Sequence, residues 1–205
     1  MFSRMLIANR GEIACRIIRT CKRLGIETVA VYSEADRDSL HVRMADVAIC
    51  IGPAESGRSY LHIPSLISAA EIADVDAIHP GYGFLAENGH FVDVCGSLDI
   101  RFIGPSSDAM NKMGNKAEAR KLAKTAGVPV LPGSEGLLPD DETALEIAHK
   151  VGYPVIIKAS AGGGGRGIRV AHNDVALRAG MAQAKAAAEA AFADDALHTE
   201  TYLER

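Results

Sequence analysis

Short apolar runs alternate with helix-like patterns through the first hundred residues of the chain. The apolar runs predict strands, and they cover residues 5–8, 28–32, 47–51, 77–79 and 101–103. Helical periodicity lies between them, most clearly at residues 12–24, 63–73 and 85–94. Strands that alternate with helices are typical of βαβ units, because a parallel connection needs a crossover segment. We therefore expect a Rossmann-like α/β domain with a parallel sheet over residues 1–113.

The pattern changes after this domain, and a second unit is expected over residues 114–205. The predicted helices lie at residues 116–126, at residues 142–150 and from Asp174 onward. The predicted strands lie at residues 155–158, 168–171 and 197–203, with a glycine-rich loop between the first two. This second unit is again α/β, with its glycine loop placed between two strands.

Composition and charge exclude several classes of protein. The 205 residues are 48% hydrophobic and 23% charged, which is an ordinary globular balance, and the net charge is −4. Nucleic-acid binding needs clustered Lys and Arg, so a weakly acidic chain of this kind argues against it. The N-terminus leads directly into a strand-like run, which leaves no room for a signal peptide. No apolar run approaches the roughly 20 residues that span a membrane, so we expect a cytoplasmic protein with no membrane partner.

The four cysteines are predicted to be reduced thiols in the core. They are Cys15, Cys21, Cys50 and Cys95, and none belongs to a CxxC pair. No HExxH motif is present either. The alternatives to core thiols are a zinc or a disulfide role, neither of which this spacing supports.

The strongest local signal for chemistry is Lys158, which ends an apolar run and precedes four consecutive glycines at residues 162–165. Lysine is rarely buried without a partner, and a phosphate group is a suitable one. Glycine has no Cβ, so backbone N–H groups in such a loop can approach phosphate oxygens closely. These features predict a flap over a nucleotide. The alternative is a plain hairpin tip with a surface lysine.

Weaker signals also agree with nucleotide binding. Lys116 begins a helix, and Glu200 begins a strand-like segment that offers backbone groups to an adenine edge. Each has a structural alternative, namely a solvated helix residue and a plain strand with exposed glutamates. The turn at residues 79–83 follows a strand, where open α/β sheets bind ligands, although a purely structural turn remains an alternative. The motif GxxxxGK[ST] is absent from the chain, and the first βα turn lacks GxGxxG.

Several long motifs occur in a fixed order: IANRGEIA at residues 7–14, AIHPGYGFLAEN at 77–88, FIGP at 102–105, MGNK at 113–116, GYPVIIKA at 152–159 and the loop through residue 167. With these motifs the chain resembles the biotin carboxylases of the ATP-grasp superfamily. The resemblance covers essentially all 205 residues, and the ordered set is far more specific than any single motif. It implies that residues 114–205 are the start of an ATP-grasp domain.

The resemblance also implies a set of site residues. The ATP site would comprise Lys116, Lys158, Gly164, Gly165, Ile168, Glu200, Thr201, Tyr202 and Leu203. In this set the two lysines contact phosphates, the glycines form the flap, Ile168 lines the adenine pocket and residues 200–203 hold the adenine edge. Family members often carry lysine where this chain has threonine at position 201, so only a backbone role is implied there. Tyr82 and Gly83 would lie near the biotin and bicarbonate pocket.

The implied activity is ATP-dependent carboxylation of biotin on a biotin carboxyl carrier protein, with bicarbonate as the carbon source. A separate carboxyltransferase component then serves acetyl-CoA or another acceptor. The full-length family members are homodimers, with Arg16 and Arg19 toward the interface. The chain looks like an N-terminal part, so the Mg²⁺ ligands and the catalytic residues are expected beyond Arg205. The alternatives are another ATP-grasp ligase, such as a carbamoyl-phosphate synthetase half, or a non-catalytic nucleotide-binding module.

Overall fold

A computed structural model of the chain describes residues 2–114, 116–160, 168–192 and 195–204. The chain divides into two compact units, Met1–Gly114 and Asn115–Arg205. Among the described residues, no helix is both long and apolar enough to cross a membrane.

The first unit contains a five-stranded parallel sheet. Its strands are β1 (Arg4–Ile7), β2 (Glu27–Ser33), β3 (Val47–Gly52), β4 (Ala77–His79) and β5 (Arg101–Phe102). Their order across the sheet is β3-β2-β1-β4-β5, and every pairing is parallel. The chain therefore builds outward from β1 in one direction and then returns to build in the other. Ligands of open α/β sheets bind at such a switch point, which lies here between the carboxyl ends of β1 and β4.

Helices cover both faces of this sheet. They are α1 (Gly11–Arg23), α2 (Leu40–Met44), α3 (Ile63–Ile72), α4 (Gly89–Ser97) and α5 (Ser107–Gly114). Alternate residues of β1 serve the two faces, because successive strand side chains point to opposite sides. Met5 and Ile7 pack in one cluster with buried residues of α1, while Leu6 packs in the other with residues of α3 and α4. The continuous apolar runs of the sequence follow from this double burial.

The second unit has a smaller, antiparallel sheet. Its strands are β6 (Val155–Ala159), β7 (Arg169–Ala171) and β8 (Leu197–Thr201), in the order β7-β6-β8. Its helices are α6 (Lys116–Thr125), α7 (Asp141–Val151) and α8 (Asp174–Phe192). The helices α7 and α8 pack on one face only, where the strands contribute a single apolar cluster. The opposite face of the sheet is therefore available for polar and ligand-binding side chains.

The predicted fold class is confirmed, and every predicted strand is present within two residues of its expected bounds. One helix was placed wrongly. We expected it at residues 85–94, but α4 begins at Gly89 because the Asn88 side chain caps it by accepting from the Phe91 N–H at 2.9 Å. Residues 84–87 form a turn instead. The helices α2 and α5 were not predicted, since both are short and weakly periodic.

The prediction for the cysteines was right for three of them. Cys15, Cys21 and Cys95 are buried, and all four cysteines are free thiols. Cys50 is exposed, contrary to expectation. It lies on β3, an edge strand of the sheet, and the side chains of this apolar run are not packed against neighbours on both faces.

Candidate functional site

The open face of the second sheet carries two of the residues predicted to bind a nucleotide, Lys158 and Glu200. Val155, Ile157 and Ala159 of β6 point into the core, whereas Ile156 and Lys158 alternate onto the open face. On β8 the same alternation buries Leu197 and Thr199 and leaves His198 and Glu200 facing outward. The register pairs Lys158 with His198 and Ile156 with Glu200, so Lys158 and Glu200 are diagonal neighbours.

Lys158 is not buried, which corrects the expectation from the apolar run. Its side chain is 31% exposed. The run was mistaken for a strand buried on both faces, whereas β6 is covered by helices on one face only. The ammonium lies where a ligand can reach it from the open face.

Glu200 joins two cations on this face. Its Oε1 accepts a hydrogen bond from the Lys158 ammonium, and its Oε2 lies 3.2 Å from Nη1 of Arg120 on α6. The side chains of Arg120 and Glu200 are only 18% and 12% exposed. Charge-assisted hydrogen bonds of this kind gain strength where water is largely excluded. The carboxylate is therefore fixed in place, rather than exposed as a plain strand glutamate would be.

The segment at residues 131–138 runs along the outer edge of β8. Three backbone hydrogen bonds of 2.8 Å join the segment to the strand, from Ser134 N–H to Thr199 O, from Leu138 N–H to Leu197 O and from Thr201 N–H to Pro132 O. Gly133 is needed for this approach, because a Cβ there would lie 2.6 Å from Glu200 Cα. Arg120 also donates to the Leu131 carbonyl. The helix α6, the edge segment and β8 are therefore tied together around Glu200.

The remaining residues predicted for the adenine edge continue from β8. The Thr201 hydroxyl donates to the Pro132 carbonyl at 3.2 Å, so the side chain faces the edge segment. The Tyr202 N–H donates to the Pro154 carbonyl at 2.9 Å. Leu203 is 67% exposed and lies after the end of the strand. Ile168 is half-buried and comes just before β7, on the side of β6 opposite to β8.

Three residues predicted for the ATP site lie wholly or partly outside the described residues. Gly164 and Gly165, the flap glycines, lie outside the described residues. Lys116 is the first residue of α6, as expected, but its side chain is also outside what is described.

In the first unit, the predicted turn lies at the switch point of the parallel sheet. Asn9, just after β1, is buried, and its amide donates to the carbonyl oxygens of Pro80 and Tyr82, both at 2.8 Å. Gly81 has a φ of +67°, and a Cβ there would lie 2.8 Å from the Asn9 amide nitrogen. His79 accepts through Nδ1 from the Gly81 N–H at 3.1 Å, and burial lowers its pKa. Asn9 thus fixes the turn that presents Tyr82 and Gly83.

Tyr82 is exposed and donates its hydroxyl to the Glu12 carboxylate at the start of α1. This hydrogen bond, together with the nearby negative charge, raises the pKa of the Tyr82 hydroxyl. Gly83 follows with a φ of +68°. Both predicted residues therefore lie on an accessible, well-fixed turn at the ligand-binding edge of the sheet.

A polar cluster holds the next residue of that turn. The Phe84 ring stacks on Tyr60, with ring centroids 4.9 Å apart. The Tyr60 hydroxyl donates to Asp36 at 2.7 Å and accepts from the Ser33 N–H at 3.0 Å. Burial opposes ionisation of Asp36, but hydrogen bonds from Tyr60 and Ser33 and the charge of Arg10 hold its pKa below the ordinary value. The cluster lines a cavity of about 260 Å³ at the carboxyl ends of β1 to β3.

Three residues that organise these sites were not predicted from the sequence. Asn9 and Glu12 fall within a recognised motif, but nothing in their spacing indicates which partner each has. Arg120 lies on a polar helix surface and meets Glu200, 80 residues later in the chain, only through the tertiary fold.

Among the described residues, no three His, Cys, Asp or Glu side chains come together as metal ligands. Glu200 is the carboxylate nearest Lys158, and it is already held by two cations, which does not suit a Mg²⁺ ligand. The described residues therefore offer a lysine on an open sheet face but no set of carboxylates for a metal ion.

A Rossmann-like unit followed by an antiparallel sheet that presents a lysine beside a glutamate is the arrangement of the front portion of an ATP-grasp protein. Residues 1–110 match the family model for the biotin carboxylase N-terminal domain. Residues 115–205 match the model for the ATP-binding domain of the carbamoyl-phosphate synthase L chain. The first match covers more than half of the chain, and the chain belongs to the biotin carboxylase family.

Individual relatives agree with this assignment. The chain is 54% identical over 204 residues to biotin carboxylase 1 of Bacillus subtilis, covering 100% of the chain and 45% of that protein. It also matches a biotin carboxylase–β,γ-ATP complex from Campylobacter jejuni, at 51% identity and a TM-score of 0.92, covering 100% of the chain and 46% of the other.

A third match is the biotin carboxylase domain dimer of the Hydrogenobacter thermophilus 2-oxoglutarate carboxylase, solved with MgADP, ADP and bicarbonate. The identity is 49% and the TM-score 0.89, with 100% of the chain and 45% of the other covered. The chain thus spans about half the length of the relatives that it matches.

Proposed function

We propose that this chain supplies the ATP-binding portion of a biotin carboxylase, which uses ATP and bicarbonate to carboxylate biotin on a carrier protein. The observation that carries the proposal is the open face of the β7-β6-β8 sheet, where Lys158 is held beside Glu200 at an adenine-edge strand. The family match over residues 1–110 supports the biotin-specific part of the proposal.

The reaction would run in two steps. Bicarbonate attacks the γ-phosphate of ATP to give carboxyphosphate and ADP, and carboxyphosphate or the CO₂ released from it then carboxylates the ureido nitrogen of biotin. Phosphoryl transfer depends mainly on positioning and charge neutralisation, which suits Lys116 and Lys158 as phosphate contacts. Mg²⁺ would supply further neutralisation of the phosphates, with ligands outside the described residues.

The remaining site residues have supporting roles in this proposal. Gly164 and Gly165 would cover the phosphates, and Ile168 would line the adenine pocket. The segment from Glu200 to Leu203 would follow the adenine edge through backbone groups. Tyr82 and Gly83 would lie near bicarbonate and biotin, supported by their fixed position on the accessible turn of the first unit.

The partners follow from the same proposal. They are a biotin carboxyl carrier protein, a carboxyltransferase component and a second copy of the full-length chain, and the compartment is the cytoplasm. The dimer in the Hydrogenobacter structure supports the self-association. Arg16 and Arg19 of α1, which line an open surface with Lys22 and Arg23, would lie toward that contact. The acceptor beyond biotin, whether acetyl-CoA, another acyl-CoA or a 2-oxo acid, belongs to the partner component.

The test is an assay of ADP release by the full-length protein with MgATP, bicarbonate and free biotin. We expect ADP release to require bicarbonate and radiolabelled bicarbonate to appear in carboxybiotin. A Tyr82→Phe variant removes the hydrogen bond to Glu12, and we expect it to alter biotin-dependent turnover more than nucleotide binding.

The outcome that contradicts the proposal is ADP release that ignores biotin and instead requires ammonia or another nitrogen donor with bicarbonate. That result would favour a carbamoyl-phosphate synthetase type of reaction, which the name of the family model over residues 115–205 also allows.

A further inference from the structure

The charge arrangement at Arg120, Glu200 and Lys158 has a consequence for nucleotide binding. Glu200 is an anion within hydrogen-bonding reach of the lysine proposed to bind phosphate. A phosphate that reaches Lys158 therefore competes with Glu200 for the same ammonium. Phosphate binds well there only if the carboxylate remains stabilised when Lys158 turns to the ligand.

Arg120 is placed to provide that stabilisation. Its Nη1 lies 3.2 Å from Glu200 Oε2, the oxygen that Lys158 does not use. Its second terminal nitrogen donates to the Leu131 carbonyl, which fixes the guanidinium relative to the edge segment. Its Nε is buried and has no hydrogen-bond partner among the described residues. The guanidinium thus holds the carboxylate from the side away from Lys158.

We propose that Arg120 is a positioning residue for the ATP site, which holds Glu200 so that Lys158 is available to nucleotide phosphate. This inference rests on the proposed nucleotide site and adds a residue that acts through Glu200 rather than by touching the ligand. Without Arg120, Glu200 has Lys158 as its remaining cation in this cluster and binds it more tightly. Phosphate affinity falls, while contacts to adenine are retained.

The test compares ADP with adenosine, which lacks phosphates, by calorimetric titration of the full-length protein. The ratio of the adenosine Kd to the ADP Kd measures what the phosphates contribute, and we call it the phosphate gain. Arg120→Gln is expected to lower the phosphate gain about fivefold to thirtyfold, which is less than the loss of a direct charge-assisted contact, because Arg120 acts through Glu200. Its adenosine Kd should change less than about twofold, because no phosphate is involved.

The distinguishing variant is the pair Arg120→Gln and Glu200→Gln together. Removing the carboxylate as well as the arginine takes away the anion that competes with phosphate for Lys158, so the phosphate gain should return to within about threefold of that of the unaltered protein. A residue that merely stabilised α6 would not show this rescue. Arg178→Gln breaks an exposed 2.8 Å ion pair with Glu142 in the same unit, and it is the control expected to leave the gain unchanged.

Two results would overturn the role of Arg120. One is an unchanged phosphate gain in a folded Arg120→Gln protein, and the other is failure of the double variant to recover it. If Arg120→Gln does not fold, as judged by circular dichroism, Glu200→Gln alone decides the question, because it must raise the phosphate gain. A lack of ADP binding by the unaltered protein would overturn the nucleotide site itself. Loss of biotin carboxylation with a normal phosphate gain would instead contradict only the proposed reaction.

Discussion

At the scale of single residues, the two faces of the β7-β6-β8 sheet differ in what they can bind. The helix-covered face is apolar apart from Thr199, whereas the open face brings Lys158, Glu200 and Arg120 together beside Ile156 and Val170. Apolar side chains beside a cation suit the two ends of a nucleotide, its base and its phosphates. For ligand binding, it therefore matters more that Lys158 lies on the open face than how far it lies from any core residue.

Lys158→Gln is expected to weaken ATP binding. The change keeps much of the side-chain length and removes the charge, and a charge-assisted contact contributes about 1.5–3 kcal/mol. The Kd for ATP should therefore rise on the order of tenfold to a hundredfold, measured by calorimetric titration of the full-length protein. The matched control is Lys124→Gln, which breaks an exposed ion pair with Glu135. Unchanged affinity in a folded Lys158→Gln protein would contradict the phosphate role.

Stability at acidic pH should depend on His41. This side chain is fully buried, and its Nε2 lies 3.2 Å from the Val31 carbonyl. Burial lowers its pKa below the ordinary 6.5, an effect that the charge of Asp36 and the bond to Val31 only partly offset. The unfolded chain then binds a proton at a higher pH than the folded chain does. The free energy of unfolding is therefore expected to decline as the pH falls below about 6.5.

Urea unfolding at pH values from about 7.5 to about 5, on either side of the ordinary histidine pKa, would measure this decline. His41→Gln keeps an amide donor for Val31 and removes the titration, so its pH dependence should be shallower. His62→Gln, at an exposed position, is the control expected to keep the original slope. Equal slopes for the unaltered protein and His41→Gln would show that His41 does not contribute. His79, whose pKa burial also lowers, is expected to contribute to the slope that His41→Gln retains.

Residue-level prediction from sequence succeeded where the chemistry is local. Lys158 beside a glycine loop stood out because lysine is unusual after an apolar run, although its degree of burial was predicted wrongly. Arg120 could not be predicted, since an arginine on a polar helix surface has no sequence signature and its partner Glu200 is 80 residues away. The resemblance to a known family supplied the adenine-edge residues, which periodicity alone would have left as an ordinary strand.

At the scale of elements, the edge segment 131–138 does for β8 what a further strand would do. It pairs with the backbone of β8 at three points and covers an edge that would otherwise present unpaired N–H and C=O groups. The segment contains Pro132 and Gly133 and lacks the periodicity of a strand, so the sequence indicated only a loop. Its role follows from where β8 ends up in the folded sheet.

Gly133→Ala is expected to disrupt this pairing. The new Cβ would meet the backbone of Thr199 and Glu200, which cannot move aside without loss of strand pairing. We expect a loss of about 1–3 kcal/mol in the free energy of unfolding, measured by urea titration. Gly136→Ala in the same segment is the control, because a Cβ there meets nothing within 4 Å. Equal stability of the two variants would show that the close approach at Gly133 is easily relieved.

Element boundaries show why helices were harder to predict than strands. The central parallel strands β1, β2 and β4 are buried on both faces, so their apolar runs mark them directly. The start of α4 depends on one side-chain hydrogen bond, from the Phe91 N–H to Asn88, which apolar periodicity does not reveal. The apolar residues Phe84 and Leu85 extended the helical pattern backward beyond the true start of α4. They lie in a turn, where Phe84 is held by stacking on Tyr60.

At the scale of the whole molecule, each of the two units has its own core. The first unit has helices on both faces of its sheet, and the second has them on one. The described residues include a phosphate-binding lysine and an adenine-edge strand in the proposed site but no clustered acidic side chains for Mg²⁺. The relatives are about twice as long as this chain.

The 205-residue chain on its own is therefore expected not to carboxylate biotin. Phosphoryl transfer needs Mg²⁺ held against the phosphates, and carboxylates usually hold it. The measurement is bicarbonate-dependent ADP release with free biotin, comparing this chain with a fusion that continues into the remaining part of the Bacillus subtilis relative. Turnover by the shorter chain near the rate of the fusion would contradict this view of where the metal ligands lie.

The ion pair between Lys158 and Glu200 joins residues 42 positions apart, on two strands that meet only in the folded sheet. A nucleotide that uses both strands is thus a ligand of the folded chain and has no comparable site on the unfolded one. By mass action, a ligand at a hundred times its Kd adds about 2.7 kcal/mol to the free energy of unfolding. The lifetime of this unit in a cell, against heat and proteases, would then follow the energy charge of the cell as well as the packing of its own core.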